Sequence, residues 1–411
     1  MTTGTGTGTG TGADTGTGAA ADTAATTAGA SPPTETERLL AEAVARGDDE
    51  GVLDILARGR LYVLVARLHA DTPGYVPPLA TLRDPLTGRR CVSVLTAGML
   101  PPWHPEWVFR ATTLTALARS WPYDERRLGV NLGTPYAATV DARTARRKAW
   151  PAAEERTGGV RRGRLLTDGT GPLYGPLAHG LALGAHLAVH NSLVWNRLGA
   201  AYIDYPTDIS WLRSPWRVTH RAEYRQKLDS LLAGQLVGRA AESVLATRRT
   251  LARRLDRTPS LAEWSAGVTR SADRLDGSRA DLTEAEALLR VVVAYEDRLR
   301  ADGALAPDGR IDTLAAFDLG RAVNVVRMAL GARYCDPAEA ERAVLRIGEA
   351  ARQAYGSWPE FSLGYGLARL IGFHDDEAGD PDAARLTYEE TLAQHRVLTR
   401  DPASPYRNIP W

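Results

Sequence analysis

Cysteine and lysine are nearly missing from this chain of 411 residues, which has only Cys91 and Cys335 of the first and only Lys148 and Lys227 of the second. Two cysteines exclude a disulfide framework and a four-cysteine zinc site. Neither lysine sits in a phosphate-binding Gly-Lys loop, and there is no Gly-x-Ser-x-Gly elbow to present a nucleophilic serine. An excess of either charge is missing too. The 50 basic residues face 49 acidic ones, a net charge of +1, which argues against a chain organised around nucleic acid. The N-terminus lacks the basic start and apolar run of a secretory signal, so a cytoplasmic setting is expected, in agreement with unpaired cysteines.

The remaining composition is that of a folded protein. A hydrophobic fraction of 44% against 24% charged residues supports at least one large core, and the length predicts two folded units plus an unstructured part. Arginine supplies 48 of the 50 basic residues. That bias reflects GC-rich coding before it reflects binding, so arginine clusters are judged against a high background.

Residues 1–33, near-alternating Gly and Thr giving way to Ala, Thr and Asp, cannot bury enough surface to offset ordering and are expected to be disordered. From 34 to 142 the pattern predicts an α+β unit, a small sheet with helices on one side. Thr34-x-x-Glu37 has capping-box spacing ahead of one helix, and Glu50 to Ala57 forms a second. Strands are expected at Leu61–Val65, at Leu79–Arg83 and Cys91–Leu95 around a turn at Asp84–Gly88, at Trp107–Thr112, and at Leu128–Asn131 and Ala137–Val140, with a helix at Thr113–Ser120. Asn131 and Gly133 are read as turn residues, Gly allowing positive φ and Asn capping its own backbone. Residues 143–172 read as a flexible basic linker, with eight basic residues between Arg143 and Arg164 but only Trp150 to stack on a base.

From 173 to 411 helix signals follow one another, predicting an all-α domain. Leu173 to Trp195 is apolar and carries Gly180-x-x-x-Gly184, but His179, His186 and His190 make it a buried, closely packed helix and not a membrane span. Thr283-x-x-Glu286, Asp336-Pro337-Ala-Glu339, Ser357-x-x-Glu360 and Asp380-Pro381 each predict a helix start. The segment Thr313–Gly331 is apolar nearly all round, hence buried, yet contains Asp318, Arg321, Asn324 and Arg327. Asp318 and Arg321 stand at i,i+3 and can pair directly, either within a salt-bridge network that fixes neighbouring helices or in a polar pocket for a small anion or a partner group.

These residues carry two resemblances. Ser120-Trp-Pro122 and Leu128-Gly-Val-Asn131-Leu-Gly-Thr-Pro135, with the preceding hairpin, resemble the SseB N-terminal domain, a family of small bacterial α+β domains without established catalytic residues. Phe317-Asp318-Leu-Gly-Arg321, Arg327, Tyr355-Gly-Ser357-Trp358 and the closing Ser404-Pro-Tyr406 to Trp411 resemble domain of unknown function 1266, which implies a helical bacterial domain of unresolved role.

The favoured functional reading is a non-enzymatic protein-interaction or regulatory module, without cofactor, whose protein partner docks in a groove or polar network formed by Asp318, Arg321, Asn324, Arg327 and Trp358. One alternative is a metal-dependent hydrolase, because His186-x-x-x-His190 places two imidazoles one turn apart. That pair lacks the intervening acid of zinc proteases, and His179 would sit about 10 Å away along a continuous helix. A second alternative is nucleic-acid or anionic-surface binding through the Arg-rich linker. The run from His374 to Asp382 is expected to be a solvated acidic turn.

Overall fold

A computed structural model describes residues 32–122, 124–274, 279–374 and 380–411. The expected disordered tail lies outside the described residues except for Pro32 and Pro33, as does most of the acidic run after His374.

The first half begins with helices α1 (Glu35–Ala45) and α2 (Asp49–Ala57). Thr34 and Glu37 form the capping box reciprocally, each side chain reaching the other's backbone. Then come β1 (Leu61–Ala66), α3 (Arg67–Asp71), β2 (Thr81–Arg83), β3 (Arg90–Thr96), β4 (Trp107–Thr112), α4 (Leu114–Arg119), β5 (Arg127–Val130) and β6 (Ala138–Asp141). These strands fall where the short apolar runs and the turn at Asp84–Gly88 predicted them. The sheet order is β4-β1-β3-β5-β6, with β2 paired to the start of β3. All pairings are antiparallel except β3 with β5, where Val92 lies opposite Leu128 and Val94 opposite Val130.

The period-2 rule sorts the sheet's two faces. Leu61, Val63 and Val65 of β1 join Val92, Val94 and Leu128 under the helices, against Leu40, Leu56 and Leu117. Tyr62 and Phe109 point to the opposite face, with Leu64 and Leu95 packed beside them, where Ala200 of the second half meets them. The sheet is thus covered on both sides, and the second half supplies one of the covers.

The segment expected to be a flexible linker departs from that reading over 144–157. It forms α5 (Thr144–Arg147) and α6 (Ala149–Thr157), and the Trp150 indole is completely buried in the first core, set edge-on to Trp121. Burying one tryptophan stabilises a helix of this length far more than its basic residues could hold it extended. Several of those cations are also occupied: Arg143 with Asp141, Arg156 with Asp54 and Glu50, Arg164 with Glu35.

The second half contains α7 (Gly175–Ala182), α8 (Ala185–Asn191), α9 (Tyr205–Arg213), α10 (Arg221–Leu232), α11 (Arg239–Leu255), α12 (Leu261–Arg274) and α13 (Arg279–Ala301). It continues through α14 (Ala315–Gly331), α15 (Pro337–Ala354), α16 (Trp358–His374), α17 (Pro381–Arg400) and α18 (Pro405–Asn408). Asp336 and Asp380 cap α15 and α17 as their sequence predicted, each accepting first-turn N–H groups. Thr283 does not open a helix: α13 starts four residues earlier and runs through it. Helix α14 is the axis of this half, buried over nearly its whole length and touching α9, α10, α15 and α16.

Candidate functional site

The predicted helix over 173–195 is broken at Leu183-Gly184 into α7 and α8. Its glycines pack as their spacing implied: a Cβ on Gly180 would sit 2.6 Å from Val344 and one on Gly184 2.9 Å from Val323. After α8, which ends at Ser192 in a left-handed conformation, residues 193–204 reach the sheet's outer face, where Ala200 packs against Tyr62 and Phe109 and Asp204 bonds the Ala111 N–H. Between that stretch and the first half lies a cavity of about 480 Å³.

Both halves build its wall. Tyr62, Leu100, Pro101 and Trp103 come from the first, and Leu181, Leu193, Tyr202, Arg327 and Leu330 from the second. One edge is a pinned loop. The Asp168 N–H donates to Asn196 Oδ1 at 2.8 Å while Asn196 Nδ2 donates to the Asp168 carbonyl at 2.7 Å, and Gly171 passes so close that a Cβ would meet the Asn196 carbonyl at 2.6 Å. The buried Asp168 carboxylate accepts from the Thr170 N–H and hydroxyl and lies 2.8 Å from Arg197 Nη1. That pair is neutral overall.

Arg327 is different. It is 3% exposed, donates Nη2–H to the Val194 carbonyl at 2.7 Å, and holds its guanidinium carbon 4.9 Å from the centre of the Tyr202 ring. Its Nε and Nη1 have no hydrogen-bond partner. The nearby Asp208 carboxylate is spent on the Tyr202 and Ile203 N–H groups, at 2.8 and 2.9 Å. Burial pushes the Arg327 guanidinium below its ordinary value, opposed by Tyr202 and Asp208. Burial likewise pushes the Tyr62 and Tyr202 phenols up to about 12. The polar side chains on the wall are Tyr62, Thr170, Arg197, Tyr202 and Arg327, so among the described residues no carboxylate, histidine or cysteine lines it.

The residues singled out in the sequence are not gathered into one site. Asp318 does not pair with Arg321. Its carboxylate accepts the Leu236 and Val237 N–H groups at 2.8 and 3.2 Å, because the turn after α10 brings two otherwise orphaned donors against it. Burial still pushes its pKa up to about 6. The Arg321 guanidinium lies 4.8 Å from the Phe317 ring centre, and Asn324 Nδ2 donates back to the Gly320 carbonyl at 2.7 Å. Asp318 borders a separate recess of about 260 Å³ with Leu231 and Ala354, on a different side of α14 from Arg327. Trp358 sits in an aromatic cluster, stacked on Tyr406 at 4.3 Å and edge-on to Trp411 at 4.8 Å, with its Nε1–H donating to the Ile409 carbonyl.

The histidines are structural in geometry. His186 Nε2 is 2.9 Å from the Ser362 hydroxyl, which is 2.8 Å from His395 Nδ1, all three buried, and the His186 ring stacks on Tyr365. His190 Nδ1 faces Gln394 at 3.3 Å. His179 packs between Trp358 and Trp411. Among the described residues no group of three histidine, cysteine or acidic side chains could hold a metal ion, so the hydrolase reading of His186 and His190 finds no third ligand. Among them too, no helix is long and apolar enough to cross a membrane. Both cysteines are buried, and burial pushes the Cys335 thiol up to about 12. Asn131 and Gly133 do have positive φ, and the Asn131 amide donates to the Tyr136 carbonyl of its own turn at 3.4 Å as well as bonding Thr96 across the sheet, where Glu37 joins them.

Reasoning from sequence missed Arg197, Asp168, Trp103 and Tyr202. The available signal was the Gly/Pro-rich punctuation of 168–175 and 199, which marks loops beside aromatic and arginine residues. No curated protein and no solved structure matches this chain. Residues 211–411, from Trp211 in α9 through the C-terminal aromatic cluster, match the family described as Protein of unknown function (DUF1266).

Proposed function

We propose that this protein is a non-catalytic binding and regulatory module whose working site is the cavity at the seam of its two halves. The observation that carries the reading is the composition of that wall: about 480 Å³ of mostly apolar surface, drawn from both halves, with a few convergent polar groups and an arginine left short of partners. Such volumes and linings are those of small-molecule sites. A wall of aliphatic, aromatic and arginine side chains offers grip without a ready proton donor or acceptor near neutral pH, which speaks for binding and against turnover. A ligand seated there touches both halves at once, so its binding energy stabilises their mutual docking. Through that coupling a partner protein would sense occupancy.

The SseB-like reading of the first half, carried by its strand order and the Asn131 turn, fits the same picture of a partner-binding domain, as does a cytoplasmic setting. The test is a thermal-shift screen of a chemically diverse small-molecule set against the full chain and against Ala97→Trp. Ala97 is exposed at the cavity's edge, and its replacement places an indole over the opening. Ligands that raise the melting temperature of the first protein and not of the variant are expected. A complete absence of such ligands, or equal shifts in both, would remove the reading.

A further inference from the structure

The cavity's chemistry is more specific than its volume, and a ligand class assigned from it rests on the reading of the seam as a binding site. Arginine in a protein interior is held by carboxylates or by several carbonyl oxygens, since each unmet N–H forfeits its hydration without replacement. Arg327 meets one carbonyl, that of Val194, and stacks near Tyr202, while Nε and Nη1 remain without acceptors. Nη2 carries a second hydrogen, which lies beside Nε–H on one edge of the guanidinium or beside Nη1–H on the other. Either edge is the paired donor set that a carboxylate takes with two parallel bonds. Acids nearby are already committed: Asp208 to two backbone N–H groups, Asp168 to Arg197 and Thr170. The wall around the arginine is largely aliphatic or aromatic, with Leu100, Trp103, Leu181 and Leu193 among its members.

From this juxtaposition we infer that the cavity takes a small organic carboxylate with an apolar body, its carboxylate bound by Arg327 and its body packed between Trp103, Tyr62 and the leucines. A fully polar anion such as inorganic phosphate would satisfy the arginine but leave the apolar wall wet. A neutral apolar molecule would fill the wall but leave the guanidinium N–H groups unmet. The chemistry therefore selects a molecule with both parts.

The experiment uses three probes on the full chain: 4-phenylbutyrate, its matched alcohol 4-phenyl-1-butanol, and inorganic phosphate, with binding followed by calorimetry. The carboxylate is expected to bind at least about tenfold more tightly than the alcohol, the discrimination expected of a charge-assisted hydrogen-bond pair. Phosphate is expected to bind weakly. In Arg327→Met the preference for carboxylate over alcohol disappears, while Ala97→Trp weakens both. Because Arg327→Met removes the partner of the Val194 carbonyl, a second measurement needs no variant. With a carbon-13 label on its carboxylate, bound 4-phenylbutyrate should stay ionised to a lower pH than the free acid, as a carboxylate beside a guanidinium does.

Equal affinity for acid and alcohol, both lost in Ala97→Trp, would overturn the carboxylate assignment and leave the cavity standing as a site for neutral ligands. Tighter binding of phosphate than of phenylbutyrate would also overturn it, in favour of a plain anion site. Failure of all three probes to bind would sink the assignment, and the thermal-shift screen would then decide separately whether the cavity reading survives.

Discussion

The Asp204 carboxylate accepts the Ala111 N–H at 2.9 Å, and with that bond the second half closes the open edge of the sheet. β4 is an edge strand, and unpaired edges invite association with other chains. Arg333, just past the end of α14, completes the closure by donating to the carbonyls of His104 and Trp107, and also to that of Ala200. Trp103 adds its Nε1–H to the Leu330 carbonyl at 3.0 Å. These bonds hold the seam at which the cavity lies.

Arg333 also has φ +66°, a left-handed conformation that disfavours a Cβ by about 1 kcal/mol. Arg333→Ala keeps that strain and loses the bonds, so it should destabilise the chain by about 2–4 kcal/mol. Arg333→Gly loses the same bonds but relieves the strain, and should be the milder of the two by about 1 kcal/mol. Urea unfolding of the two variants gives the comparison. Glycine proving worse than alanine would mean that the local conformation carries no strain.

Glycines at two places in the helical half should respond to alanine with opposite signs. At Gly180 a Cβ meets both the side chain and the backbone carbonyl of Val344 at 2.6 Å, and backbone cannot yield as a flexible side chain can. Gly180→Ala should therefore cost about 1–3 kcal/mol by overpacking α7 against α15. At Gly372, exposed in α16, nothing lies within 4 Å of the added carbon. Gly372→Ala should stabilise by about 0.5–1 kcal/mol through helix propensity alone. Differential scanning calorimetry of both variants checks the pair.

The Gly180-x-x-x-Gly184 spacing shows how far the sequence can be read. It announced a close helix contact correctly, yet nothing in the spacing marked the break at Leu183-Gly184 that divides the segment into α7 and α8. Strands were legible because short apolar runs rich in β-branched residues, bounded by turn residues such as Asp84–Gly88, are a local signal, and a sheet covered on both faces needs such runs. The Asp336 and Asp380 caps were legible for the same local reason. Trp150 was not, because a basic, glycine-bearing stretch looks like a tether unless the core that receives the indole is already known. Arg327 was picked out from sequence for being charged on an apolar helix. Its missing partners became visible only when Val194, Tyr202 and Asp208 had been placed around it from other parts of the chain.

Buried histidines set one pH response. His179 is held neutral between Trp358 and Trp411, and burial lowers its pKa to about 4, with Arg352 adding to the effect. The unfolded chain takes up this proton near the ordinary histidine value of about 6.5, before the folded chain does. Stability from His179 is therefore complete above that pH and is lost as pH falls toward 4. Replacing it with phenylalanine keeps the aromatic packing and deletes the titration. The stability of His179→Phe relative to the original chain should thus rise by about 1.4 kcal/mol for each pH unit lowered within that window. Buried Asp318, raised to about 6, changes in the opposite sense over the lower part of the window, but it is common to both proteins and cancels in the difference. Parallel stability curves from pH 7 to pH 5 would show that His179 protonates freely when folded.

The buried ion pair anticipated at Asp318 and Arg321 exists elsewhere, between α11 and α13. Arg248 and Glu296 are 5% and 3% exposed and meet through two bonds of 2.9 and 2.8 Å. Most of their remaining groups are also occupied, Arg248 Nε excepted. Arg248 donates to the Ile311 carbonyl and lies over the Trp264 ring, while Glu296 accepts the Ile311 N–H at 2.8 Å. Taking Glu296 away strands the Arg248 guanidinium among Leu245, Trp264 and Val292, so Glu296→Leu should cost about 3–5 kcal/mol, whereas Arg248→Met leaves Glu296 with the Ile311 N–H and with Arg300 Nη2 at 3.4 Å and should cost less. Taking both away exchanges the pair for apolar contacts beside Leu245 and Val292, and should cost much less than the sum of the single changes. A double-mutant cycle by urea denaturation reads this directly. A large coupling means that the pair fixes how these helices meet while adding little net stability. Additive losses would mean instead that each side chain acts through its own bonds to Ile311 and Trp264.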